Sequence, residues 1–194
     1  MNALIRLLPK ALLAAAATLL LLAPVPGAFA ASVAEQRADI QKMAKDTLNR
    51  LYRAQPSARQ AVERSAGYAV FSAFGAKIFL AGGGSGGGLA VDNRTKAQTY
   101  MKMVEVQAGL GMGVKKFRLV WVFENKKDFD YFVNTGVEIG AQASAAAKVG
   151  SEGGSFTGAL SVKPGVWLYQ LTDDGLAAEL TAKGTKYYKD SALN

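Results

Sequence analysis

The sequence predicts an α+β domain in which N-terminal helices pack on a mainly antiparallel, strongly curved sheet or partial β-barrel. Three observations carry this. Apolar residues recur every three or four positions through residues 33–54, the period of a helix with one buried stripe. From Gly67 onward the pattern changes to alternation and short apolar runs broken by turn residues, the period of strands. Glycine is concentrated at Gly82, Gly83, Gly84, Gly86, Gly87 and Gly88, and again at Gly109, Gly111 and Gly113. Such density implies tight turns or a surface pressed close to the backbone.

Residues 1–30 are read as a signal peptide. Arg6 and Lys10 form a positive start, Ala11–Ala23 an apolar stretch, and Ala28-Phe29-Ala30 a small-x-small cleavage site. The apolar stretch falls short of the roughly 20 residues that span a bilayer, and Pro24, Pro26 and Gly27 break the chain just beyond it. A lipoprotein needs a Cys just after the cut, and the chain has no Cys. Removing 30 of 194 residues leaves 164, enough for one domain spanning residues 31–194 with its core at about 35–190. The expected destination is the periplasm or another part of the cell envelope.

The first helix covers residues 33–54, with Ile40, Met43, Ala44, Thr47, Leu48, Leu51 and Tyr52 on its apolar stripe. Gln55-Pro56-Ser57 ends it and opens a shorter helix reaching about Ser65, with Pro tolerated in the first turn. Tyr68–Phe71 and Lys77–Leu80 are expected as short strands joined near Phe74-Gly75, and Leu89–Val91 as a brief strand after the glycine tract. Residues 98–106 alternate loosely, and the glycines within 108–114 leave one strand face bare. Lys116–Phe123 is the clearest strand, with Phe117, Leu119, Trp121 and Phe123 facing one way. Asn125 is a good N-cap for a helix over Lys126–Asn134, with Asp128 completing an approximate capping box. Residues 136–149 are small and Ala-rich and fit strand or helix equally. Ser155–Val162 and Val166–Leu171 are expected strands, Thr172–Gly175 a turn, and Leu176–Lys183 the last strand.

Lys and Arg number 23 against 15 Asp and Glu, a formal charge of +8 that falls to +6 when Arg6 and Lys10 leave with the signal peptide. On an exported protein this favours anionic partners such as lipid headgroups or cell-surface polymers, and does not by itself indicate nucleic acid. The chain has no His and no Cys. It therefore lacks an imidazole base, a thiol nucleophile, disulfides and the usual zinc or iron–sulfur ligands. No catalytic residue, metal site or cofactor is expected. Gly82-x-Gly84-x-x-Gly87 matches a dinucleotide fingerprint in letters only, because no helix pattern comes after it. A structural hairpin or surface loop is the expected role of Gly82–Gly88. Asp128 and Asp130 lie on an amphipathic helix and Asp173 and Asp174 in a turn, the simpler settings for these carboxylates.

Two basic features remain. The helices over residues 37–64 carry a Lys/Arg-rich face, the composition of a segment that rests on phospholipid phosphates. Lys115, Lys116 and Arg118 form a second cluster, with Lys116 and Arg118 pointing away from the core to extend an anion contact or to guard a strand edge.

Ala66-Gly67-Tyr68-Ala69-Val70-Phe71, the Gly82–Gly88 tract, Gly109-Leu110-Gly111-Met112-Gly113, Val120-Trp121-Val122-Phe123 with the Asn125 helix, and Gly140-Ala141-Gln142-Ala143-Ser144 occur one after another in a fixed order. In that order the chain resembles the SYLF domain, or Ysc84 actin-binding domain, family over about residues 35–190. Ser72 stands where family members often carry Pro, and Ser85 where they often carry an aromatic residue. The resemblance implies an α+β lipid-binding module, associated in eukaryotic members with phosphoinositide-rich membranes and actin, and in bacterial members with the envelope. It also implies that membrane contact falls on the basic N-terminal segment, here Lys42, Lys45, Arg50, Arg53, Arg59 and Arg64. The function expected is non-enzymatic binding of anionic lipid, with apolar residues of the helix or the glycine loop inserting shallowly. A structural or protein-interaction role for an envelope partner is the alternative.

Overall fold

The computed structural model describes residues 31–78, 81–108, 113–140, 148–149, 154–173, 175–177 and 184–194, without the side chains of 74–82, 106–115 and 148–149. Residues 1–30, the expected signal peptide, lie outside this set. Ser32–Asn194 form one compact unit. It contains helices α1 (Val33–Ala54), α2 (Ser57–Arg64) and α3 (Lys126–Asn134). The long strands are β1 (Gly67–Ile78), β2 (Ala81–Asp92), β3 (Gln98–Ala108) and β4 (Gly113–Phe123). The short ones are β5 (Val137–Ile139), β6 (Lys148–Val149), β7 (Leu160–Lys163), β8 (Val166–Thr172), β9 (Gly175–Leu176) and β10 (Thr185–Lys189). They form one curled antiparallel sheet, a half-barrel ordered β5-β10-β3-β2-β1-β4-β8-β7-β6, with β9 paired to β8.

Strand alternation sends successive residues of β1 and β4 to opposite faces, and each face gains its own helical cover. On one face Ala69, Phe71, Leu119, Trp121, Phe123, Met101, Met103 and Tyr187 meet Phe129, Phe132 and Val133 of α3. The rings interlock, with Trp121 and Tyr187 edge to face at 5.1 Å and Phe71 and Tyr187 at 5.0 Å. On the other face Val70, Leu89, Val91, Val120, Val122, Tyr169 and Leu171 meet Ala44 and Leu51 of α1 and Ala58 and Val62 of α2. Each large apolar side chain buried this way contributes about 1.5–3 kcal/mol.

The helix ends obey local chemistry. At α1, Glu35 N–H donates to Ser32 Oγ (3.2 Å) and Ser32 N–H to Glu35 Oε2 (2.7 Å), a reciprocal capping box. At α3, Asp128 N–H donates to Asn125 Oδ1 (2.9 Å), and Asn125 Nδ2 donates back to the Asp128 carboxylate (2.7 Å).

Several sequence expectations change. β1 runs unbroken through Phe74-Gly75, and Gly82–Gly88 form neither a hairpin nor a loop but the middle of β2, paired to β1 on one side and β3 on the other. Packing explains the strand. A Cβ at Gly88 would fall 2.2 Å from the Phe71 ring, and one at Gly67 2.6 Å from the Phe129 ring. Bare backbone here is what lets large aromatic residues sit flat on the sheet. Ser155–Ala159 turn instead of extending: Thr157 N–H donates to Gly154 C=O (3.1 Å) and Ala159 N–H to Phe156 C=O (2.9 Å), while Gly158 takes φ +78°. The last strand lies at Thr185–Lys189, where it pairs with β3 and β5. Residues 141–147 and 178–183, parts of the Ala-rich segment and of the expected last strand, lie outside the described set, as do Gly109–Met112.

The β2–β3 turn is held by Asp92, whose Oδ1 accepts from Thr95 N–H (2.8 Å) and Arg94 N–H (2.9 Å) and whose Oδ2 faces Lys126 Nζ (3.4 Å). The Thr95 amide is the largest cause of a carboxyl pKa lowered to about 2. A depressed pKa contributes stability above the unfolded value near 3.8 and loses it as pH falls through about 2. Asp92→Asn should therefore lower the melting temperature at pH 7, and thermal melts should show that deficit shrinking between pH ~4 and ~2. Gly88→Ala forces the Phe71 ring aside and should cost about 1–3 kcal/mol in urea unfolding, as overpacking does. Gly140→Ala, with nothing among the described residues within 4 Å of the added Cβ, should stay within ~0.5 kcal/mol of the parent.

Candidate functional site

The sheet face under α1 is built in cross-strand rows. Val91, Tyr68, Val122 and Trp167 form one, and Leu89, Val70, Val120 and Tyr169 the next. The third reads Gly87, Ser72, Arg118 and Leu171, so the apolar surface gives way to polar groups within two residues along each central strand. α1 crosses these strands in turn. Gln41 Nε2 donates to the Tyr100 hydroxyl of β3 (2.9 Å), Ile40 approaches Gly87 of β2, Arg118 of β4 reaches Thr47, and Arg50 reaches β8. A Cβ at Gly87 would sit 3.4 Å from Ile40 Cδ1, so the glycine sets how low the helix lies.

Two openings border α1. One, of about 310 Å³, is lined by Arg50, Lys116, Arg118, Ser72, Ser85, Thr172 and Asp173 over Ala73, Phe117 and Leu171. Arg118 is half-buried and donates Nη1 to Thr47 Oγ1 (3.0 Å), and Arg50 donates Nη2 to the Thr172 carbonyl (3.3 Å). Neither has a carboxylate partner among the described residues. The other opening, about 500 Å³, has an apolar floor of Ala44, Leu48, Tyr68, Leu89 and Val91 and a rim of Lys45, Lys96, Gln41 and Gln98.

The basic residues singled out in the sequence do not form one patch. Lys42 and Arg53 are exposed on the back of α1, Lys45 borders the apolar opening, and Arg59 and Arg64 are exposed on α2. Arg59 pairs with Glu63 (3.4 Å) and lies over the Tyr52 ring at 4.5 Å. Arg50, distant in sequence from Lys116 and Arg118, joins them in the smaller cleft. The side chain of Lys115 lies outside the described set. Lys116 and Arg118 do not guard an edge, because β4 is interior, with β1 and β8 on its two sides. Shallow insertion by the helix stripe or a glycine loop has no counterpart either: the stripe packs on the sheet and the glycines are strand.

Ser72, Ser85, Thr172 and Thr47 are not recognisable as site residues from spacing, since cross-strand register and, for Thr47, the crossing of α1 bring them to the arginines. Two cations around α3 are used differently. Lys126 pairs with Asp130 and Asp92, and Lys163 with Asp128, whose carboxyl stays below its usual range chiefly through the hydrogen bond from Lys163. Among the described residues no helix is long and apolar enough to cross a membrane, and no group of acidic residues has the arrangement of a metal site.

Residues 104–194 match the family model described as Ysc84, "Las17-binding protein actin regulator". The chain is 35% identical over 161 residues to Beta cell expansion factor A from Aeromonas veronii, a match covering 82% of this chain and 59% of that protein. The chain thus spans less than two thirds of that relative's length.

Removing the hydroxyl that Arg118 uses should be felt in stability. Thr47→Val keeps the shape of a fully buried side chain but leaves a half-buried guanidinium short of an acceptor. Urea denaturation should show a loss of about 1–2 kcal/mol. Lys116→Gln, at an exposed position, should stay within ~0.5 kcal/mol.

Proposed function

Over residues 104–194 the chain belongs to the Ysc84 (SYLF) family, and on that premise we propose that it is an exported, non-enzymatic domain that binds anionic lipid at an envelope membrane surface. Family membership points to lipid- or actin-related binding in general. The narrower reading rests on one observation: Lys42, Lys45, Arg50, Arg53, Arg64, Lys116 and Arg118 make no ion pair among the described residues, whereas Lys126 and Lys163 beside α3 do.

Cations not engaged in an ion pair stay available to a phosphate surface. Each basic residue near an anionic membrane contributes about 1 kcal/mol, and this fades beyond a Debye length of about 8 Å at physiological salt. Lys42, Lys45 and Arg53 stand clear of the protein body on α1. Because the apolar stripe of the helix is already buried, contact is electrostatic and peripheral. Export by residues 1–30 would deliver the domain to an envelope leaflet.

Vesicle flotation tests the reading. The protein should float with phosphatidylglycerol vesicles, not with phosphatidylcholine, and raised salt should release it. Replacing Lys42, Lys45 and Arg53 together by Gln should remove about 3 kcal/mol and weaken binding roughly 100-fold, with the melting temperature little changed. Equal recovery on neutral and anionic vesicles would turn the same surface toward a protein partner in the envelope.

A further inference from the structure

We propose that the cleft beneath the C-terminal half of α1 is a receptor for a phosphomonoester dianion, held by Arg50, Lys116 and Arg118 with Ser72 and Ser85. It deepens the lipid-surface reading, on which it rests for the source of the phosphate.

Charge balance comes first. Three cations line this one cleft, and among the described residues the only acidic one lining it is Asp173, exposed at the start of the β8–β9 turn. A half-buried guanidinium without a carboxylate loses hydration and gains no compensating charge, so the site favours an anion. A phosphomonoester carries close to two negative charges at neutral pH and answers three cations better than a single carboxylate or a phosphodiester does.

Donor geometry points the same way. A guanidinium has five N–H donors. Arg118 commits one contact to Thr47 Oγ1 and Arg50 one to the Thr172 carbonyl, and these two bonds fix both side chains. The remaining donors of both residues, the Lys116 ammonium and the hydroxyls of Ser72 and Ser85 border the same space. Three terminal phosphate oxygens present acceptors in the number such a set calls for, and paired N–H groups of arginine suit them.

The fold makes the cleft rigid. Ser72 and Arg118 are register partners on adjacent interior strands, and Thr47 of α1 is fully buried against them. Ser85 sits in β2 amid glycines, at a place where a bulkier side chain would enter the cleft. Ser72 and Ser85 thus border one opening. A volume of about 310 Å³ admits a phosphate with a small alcohol attached.

The test uses the purified full chain at constant ionic strength, with inorganic phosphate and glycerol 3-phosphate as probes and chloride as control. Calorimetry or amide chemical shifts should give saturable one-to-one binding. Lys116→Met and Arg118→Met should each weaken it at least about tenfold. Lys116 is exposed, so its variant keeps the test valid if loss of Arg118 unsettles the fold. The Lys42, Lys45 and Arg53 triple Gln variant should lose vesicle binding and keep phosphate binding, which separates this proposal from the membrane-surface reading. Vesicles containing phosphatidic acid, a monoester, retained better than phosphatidylglycerol vesicles of equal charge would identify a lipid headgroup as the source. Binding of the soluble probes without that preference would assign the site to a free phosphate ester. Absence of saturable binding, or binding unchanged in both Met variants, overturns the proposal.

Discussion

The seating of α1 across the sheet is the constraint that shapes everything else on this face. The helix offers one apolar stripe and the sheet offers two apolar rows, and they are consumed against each other. Where the rows end, at Ser72 and Arg118, the helix still continues overhead, so its next turn meets polar groups instead of a core. A cleft results without any dedicated loop. Thr47 occupies the changeover: it is fully buried like its apolar neighbours, yet accepts from Arg118. The docking interface and the cationic cleft therefore share a residue, and one cannot be altered without strain in the other.

Glycine sets how close the layers come. Gly87 lets Ile40 descend onto β2, Gly88 accommodates Phe71, and Gly67 accommodates Phe129. The first of these serves the α1 face and the other two the α3 face, so the adjacent Gly87 and Gly88 of β2 act on opposite layers. Ordering a run of glycines costs more backbone entropy than ordering other residues. That cost is offset by aromatic burial, since Phe71, Trp121, Phe123, Phe132 and Tyr187 are all at most 2% exposed.

Elements whose signal is local are legible in the sequence. α1 and α3 announce themselves by period and by the Asn125 cap, β4 by the alternation of Phe117, Leu119, Trp121 and Phe123, and β8 by the apolar run Val166–Tyr169. The capping box of Ser32 with Glu35 is written there too, one step ahead of the apolar period that marks α1. β1 and β2 are longer than the sequence suggests, because glycine propensity argues against strand while its packing value appears only once Phe71 and Phe129 are in place. The candidate site divides the same way. Its charges are visible as residue types, but the meeting of Arg50, Lys116 and Arg118 depends on strand register and on the crossing of α1, neither of which has a local signature.

The same geometry decides how such a domain would hold a membrane. Lifting α1 to insert its stripe would uncover Ala44, Leu51 and the sheet rows beneath them, forfeiting about 1.5–3 kcal/mol for each large side chain released. Lipid would return burial to the helix but none to Val70, Val120, Val122 and Tyr169, left facing water. Keeping the helix docked retains both surfaces and leaves the cations outward, at about 1 kcal/mol apiece against an anionic leaflet. The second course is the cheaper one. It would also make such a contact reversible and salt-sensitive, and it would preserve the cleft on encounter, because Thr47 and Arg50 hold that cleft only while they remain over the sheet.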